Sequence, residues 1–409
     1  MQRLLRLPQR SATPSRARGA HRAPARAPAR ALALAHALAA LLITGADTAK
    51  AQGARLPPQL EFRIPKPPTV LTADGARVLV YELHLTNFGG APVTLRRLDV
   101  MTEGDARTLI TLQDTALART LARPGVTPAP PLMTRATLGG GLRAVAFLWV
   151  PLSGATPTRI WHRAILSRTT GGDTVVTDTL DRASTGVSSA VAIVGPPLRG
   201  GPWLAANGPD AMAGHRRALI AAADAPTIAQ RFAIDYVKVD TAYRTHAGDA
   251  AKNESYYAEG LDALAVADGK VVAIKDGIPE NVPGIDSRAV PITLETVGGN
   301  HVIIDIGGGH YAFYAHLRPG SLKVKLGDRV KRGQVVGLVG NSGNSTEPHL
   351  HFHISDSPSP LGSEGVPYQH DRFELLGRCA PTFSGCKVGA AQQRVHEMPL
   401  GFQLVQFPK

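Results

Sequence analysis

No stretch of this sequence is apolar enough to cross a membrane. The nearest, Ala31 to Ile43, has 13 residues, where a spanning helix needs about 20. Cysteine is scarce: the chain has two, Cys379 and Cys386, both near its end. A loop this short closes readily as a disulfide in an oxidising compartment. Aromatic residues make up only 5%, against 42 glycines and 32 prolines, a balance that favours many short strands and turns over long helices. No solenoid repeat is present. Excess positive charge is also missing once the first 51 residues are set aside. Of the formal net charge of +13, those residues carry +8, from eight Arg, Lys50 and Asp47. The +5 left for residues 52–409 gives no nucleic-acid signal. At most it favours an anionic polymer or surface.

The first 51 residues read as an export signal: a positive region from Arg3 to Arg30, the apolar run, then Ala49-Lys50-Ala51 before Gln52. Cleavage there places the mature chain outside the cytoplasm, periplasmic or extracellular, with no stable membrane span; the alternatives for so long a positive region are an uncleaved anchor or a misplaced start codon.

After a proline-rich lead-in (52–67), residues 68–197 alternate strand and turn. Arg77–Thr86, Val93–Val100, Leu142–Val150, Ile160–Ser167 and Asp173–Thr179 are separated by turns such as Phe88-Gly89-Gly90 and Gly171-Gly172-Asp173. Short alternating strands at this spacing predict a β-sandwich, plausibly immunoglobulin-like. His84 and His162 each stand alone on a strand there, the pattern of structural histidines. Residues 198–209 read as a linker, 210–375 as a second β-rich domain, and 376–409 as a tail carrying the cysteine pair. The expected fold class is therefore mainly β.

The chemistry concentrates in Asn341–Ile354 (NSGNSTEPHLHFHI). Strand side chains at i and i+2 share a face, so His349, His351 and His353 point one way and Leu350, Phe352 and Ile354 the other, into a core. Three imidazoles on one face suit a metal, and a catalytic zinc takes three protein ligands and keeps one position open.

The surrounding motifs resemble the lysostaphin-type metallopeptidases. They are Gly299-Asn300-His301-Val302, Tyr314-Ala315-His316-Leu317, Val330-Lys331-Arg332-Gly333-Gln334 and the final His349-Leu350-His351. The resemblance covers about Ala263–Ser355, and Arg231–Asp235 partly. It implies an antiparallel, barrel-sandwich-hybrid-like peptidase core with one zinc ion. It makes His351 and Asp235 zinc ligands and His316 and His349 the assisting catalytic histidines. The substrate it implies is a peptide, above all a peptidoglycan cross-link.

One departure stands out. Arg231 lies four residues before Asp235, where the family has its first histidine ligand, and Ala233 lies where it has glycine. Arginine stays protonated and does not ligate zinc. Either another histidine supplies the ligand, with His215 the first candidate and His246 and His301 behind it, or the domain is a catalytically silent wall-binding or hydrolase-activating module. A lipoyl-type carrier is a poor third, because neither Lys270 nor Lys331 has a neighbouring methionine. Two insertions, Thr241–Gly260 and Lys275–Val297, are expected to shape a groove, with Tyr243, Tyr256 and Tyr257 either stacking on substrate or packing on the core.

Overall fold

Period-two alternation builds nearly everything in the computed structural model, which describes residues 56–170, 173–222, 224–381 and 385–409. The expected export signal over residues 1–51 lies outside the described residues. Leu56–Lys409 forms a single unit. Among the described residues no helix is long and apolar enough to cross a membrane.

Two five-stranded sheets occupy the first part. One joins Leu60–Arg63, Val70–Ala73, β1 (Ala76–Asn87), Leu121–Ala122 and a strand at Arg143–Leu152. The other joins β2 (Val93–Thr102), Thr108–Gln113, Thr137–Leu138, Arg159–Thr170 and Thr174–Gly186. They share a core in which Leu79, Leu83 and Leu85 of β1 meet Leu95, Leu98, Ile160 and Leu166. The lone histidines are buried in or beside it, and burial lowers each to about 4. His162 Nδ1 lies 3.1 Å from the Ala183 carbonyl and Nε2 lies 2.8 Å from Tyr81 Oη. Nδ1 therefore carries the proton, and the tyrosine hydroxyl donates to Nε2.

Strand β1 is buried on both faces. Its alternate residues Val78 and Val80 belong to a second core, shared with the large sheet that follows. That sheet has eleven strands. Its middle runs β3 (Trp203–Ala206), β4 (Ile234–Lys238), then Leu350–Ser355, Tyr311–Leu317 and Asn300–Asp305. In chain order the last three are β5 (Asn300–Asp305), β6 (Tyr311–Leu317) and β7 (Leu350–Ser355). One face packs Ile234, Tyr236, Tyr314, Leu350, Phe352 and Ile354 into the second core. The other face carries Asp235 and the histidines.

The sheet also absorbs two segments of other expected character. Residues 198–209, expected as a linker, supply β3, hydrogen-bonded to β4 on one side and to Gln403–Gln406 on the other. All four of its residues are buried, and a strand so short shows no alternation among the flanking glycines and prolines. The tail expected over 376–409 contributes Cys386–Glu397 and Gln403–Gln406. Cys379 and Cys386 face each other across a hairpin and are disulfide-bonded.

Candidate metal centre

Register alone brings two of the candidate residues together. β4 pairs antiparallel with β7 so that Asp235 lies directly opposite His351, and opposed residues share a face of the sheet. On its other edge β7 pairs with β6, setting Ala315 opposite His351 and Phe313 opposite His353. Strict alternation would then send His316 to the core side with Tyr314. It does not go there, because its φ is +62° and the β5–β6 register shifts between Asn300 and Val302. This left-handed residue, rare outside glycine, turns its ring back toward the site, with ring centroids 4.9 Å from His349 and 5.6 Å from His351. A backbone outlier of this kind costs of order 1–3 kcal/mol and persists where the surroundings over-determine it.

The structure places His215, Asp235 and His351 with their ligand atoms all within 4.8 Å of one another. His215 Nε2 lies 3.5 Å from Asp235 Oδ2, and His351 Nδ1 lies 2.8 Å from Asp235 Oδ1. His349 Nε2 is 3.4 Å from the same Oδ1. Carbonyl oxygens, which only accept, orient three of the rings. His215 Nδ1 faces Asn207 O at 3.2 Å, His316 Nδ1 faces Ser342 O at 2.8 Å, and His349 Nδ1 faces Glu347 O at 2.8 Å. Each Nδ1 thus holds a proton, which leaves Nε2 as the ring atom available to a metal or to proton exchange. The amide of Asn207 donates to Asp235 Oδ2 at 2.9 Å. His351 Nε2 meets His353 Nδ1 at 3.0 Å, and His353 Nε2 is buried without a partner.

Burial would raise the Asp235 carboxyl, but His215, His349 and the hydrogen bonds of His349 and His351 together hold it well below the usual carboxylate range. Burial lowers His351, and lowers His316 strongly with His349 and His351 adding repulsion. His349 moves up instead, because Asp235 outweighs its burial. A buried carboxylate ringed by imidazole nitrogens is a donor set that fits a divalent cation.

Arg231 takes no part in this cluster. It is buried and turned away, donating from Nε to Glu82 Oε2 at 2.8 Å, from Nη1 to Gly365 O at 2.7 Å and from Nη2 to Glu364 Oε2 at 2.6 Å. His246 stacks on Tyr256 with centroids 4.9 Å apart, and His301 bonds Gly299 O at 2.9 Å beside Phe313. Neither joins the cluster. The three tyrosines of the first insertion are engaged in packing: Tyr243 lies against Leu204 and Cys379, Tyr256 donates to Ala250 O, and Tyr257 donates to Asp240. The second insertion instead supplies Arg288 and Val297 to a cavity of about 270 Å³ whose floor is the His–Asp cluster.

Asn207 and His353 are site residues that reasoning from sequence left without a role. Asn207 lay inside the supposed linker, with no periodicity to mark it. His353 carried a signal, its place in the histidine stripe, but no motif.

A β-sheet and an adjoining helical turn that gather a carboxylate and two imidazoles around one point, with two more imidazoles at the edge of a cavity, have the donor set of a mononuclear metal site. Residues 255–362 match Peptidase family M23, the same segment that carries the motifs resembling lysostaphin-type peptidases. The match contains His316, His349 and His351 and begins after His215 and Asp235. The chain is 48% identical over 56 residues to the glycyl-glycine endopeptidase ALE-1 of Staphylococcus capitis, covering 13% of this chain and 15% of that protein. It is 36% identical over 100 residues to the peptidoglycan DD-endopeptidase ShyA of Vibrio cholerae, covering 24% and 23%. It thus spans less than a quarter of the length of these curated relatives. Among solved structures, the catalytic domain of the prophage-encoded M23 protein EnpA from Enterococcus faecalis is 24% identical, with 42% of this chain and 92% of that chain covered and a TM-score of 0.25.

Proposed function

We propose that the protein is an exported zinc metalloendopeptidase that hydrolyses peptide bonds of peptidoglycan cross-links. The observation that carries this reading is the His215–Asp235–His351 set, its ligand atoms within 4.8 Å, beside His316 and His349. Two imidazoles and one carboxylate are a known catalytic zinc set, and three protein ligands leave a position open toward the cavity. The named activities of ALE-1 and ShyA support the substrate class.

His215 would bind through Nε2 and His351 through Nδ1. The latter requires His351 Nε2 to carry the proton and donate it to His353 Nδ1, the outer hydrogen bond that metal-binding histidines commonly make. Zinc held by these residues would supply Lewis acidity toward a water and the scissile carbonyl. His316 and His349, fixed through Nδ1 by backbone carbonyls, present Nε2 to the cavity. There they accept a proton from the attacking water, return it to the leaving amine, and support the developing oxyanion.

Metal content and turnover of the purified protein test this together. Wild type should hold zinc and convert cross-linked peptides to uncross-linked ones. His351→Ala should lose the metal. His316→Ala and His349→Ala should keep it while kcat falls about 10²–10⁴-fold. A wild type that takes up no zinc in chelator-free buffer would leave the wall-binding reading in its place.

A further inference from the structure

His215 sits on a helical turn, Gly214–Arg217, too short to hold its own position. Its two neighbours are anchored elsewhere. Arg216 is fully buried and donates from Nη2 to Leu148 O at 2.8 Å and Tyr81 O at 3.2 Å. Both carbonyls belong to the first sheet of the sandwich, on β1 and Arg143–Leu152. Arg217 Nη2 donates to Arg119 O at 2.9 Å, and its guanidinium lies 4.8 Å from the centre of the Phe147 ring. Glu82 completes the grip. Alternation along β1 puts it on the face of Val78 and Val80, toward the large sheet. Its Oε1 lies 3.5 Å from Arg216, and Oε2 accepts from Arg231 at 2.8 Å. Burial lowers Arg216 to about 10, still cationic at neutral pH, with Glu82 pulling the other way.

We infer that the N-terminal sandwich is part of the metal centre: Arg216 and Arg217, held by β1, Arg143–Leu152 and Phe147, position the turn that brings His215 to Asp235. The inference rests on the reading of His215 as a ligand. In the family pattern the first ligand lies four residues before the aspartate. Here that place holds Arg231, which ties the β4 side of the sheet to the same Glu82. The turn that carries His215, through Arg216, and Arg231 thus converge on one sandwich carboxylate.

The test uses the full chain with zinc, measured by chelator competition, and with cobalt, whose visible spectrum reports the ligand set. Arg216→Met should weaken zinc binding about 10–100-fold, the range for residues that orient ligands, and shift the cobalt spectrum toward that of His215→Ala. The double variant should bind no more weakly than His215→Ala alone, because both changes remove one interaction. Arg217→Ala, at a half-exposed position, should act in the same direction more weakly and keeps the test available if Arg216→Met fails to fold. Arg378→Ala removes another contact between the same parts, the 3.2 Å pair with Asp74, and should bind zinc as wild type does. Folded Arg216→Met and Arg217→Ala with wild-type affinity overturn the inference, as do additive losses in the double variant or an equal loss in Arg378→Ala. Those results leave the metal reading intact; a wild type without zinc affinity removes both.

Discussion

Asn207 sets two of the three candidate ligands at once. Its side-chain amide donates to Asp235 Oδ2, and its backbone carbonyl receives the Nδ1 proton of His215. Its φ of +47° is a conformation that glycine adopts without strain. Asn207→Gly therefore deletes the amide while leaving the carbonyl in place. Zinc affinity should fall about tenfold, read by chelator competition, with little change in urea midpoint. Unchanged affinity would mean that Asp235 needs no orienting partner. The histidines were legible for a simple reason: period two dictates which side of a strand His349, His351 and His353 occupy, and β7 is regular. His316 was legible only through the Tyr-Ala-His-Leu motif, because its left-handed backbone breaks the alternation that would have sent it into the core. Asn207 was illegible because a residue that closes a four-residue buried strand among glycines and prolines carries no pattern.

At the scale of elements, four of the five named sandwich strands were read to within a few residues, since alternation between core and solvent marks them, while the fifth, expected to end at Thr179, runs on to Gly186. Alternation could not reveal that β1 has no solvent face. Val78, Val80 and Glu82 look like an ordinary outer face with two valines and a charge, and only the second core explains the valines. Arg231 belongs to the same lesson. From sequence it marks a lost ligand; in the fold it is a bridge between Glu82 and Glu364, with side-chain exposures of 3% and 2% for the Arg231–Glu82 pair. Arg231→His, which restores the family residue, should therefore not tighten zinc. An imidazole is too short to span both carboxylates, and a buried pair broken on one side costs about 3–5 kcal/mol. Urea unfolding should show that loss. A stable variant with higher zinc affinity would mean that position 231 still belongs to the metal site.

For the whole molecule, the shared strand sets how it comes apart. Valines of β1 pack with Trp203, Ile234 and Tyr236 of the large sheet, while the intervening leucines hold the sandwich together. Melting the sandwich would strip cover from the second core and break the Arg216 and Arg231 contacts together. Two domains joined by a polar, transient-type interface would melt separately; a strand common to two cores leaves no such boundary. Calorimetry should therefore show one transition for residues 56–409. Val80→Ala removes part of a fully buried valine, at most about 1.5–3 kcal/mol, and should shift that single transition down without splitting it. Zinc release, followed with a chromophoric chelator, should move to lower temperature by the same amount, since His215 holds its place only while the sandwich grips its neighbours. Two resolved transitions, with Val80→Ala moving one of them and zinc release following the other, would show that the sandwich and the metal site fold independently.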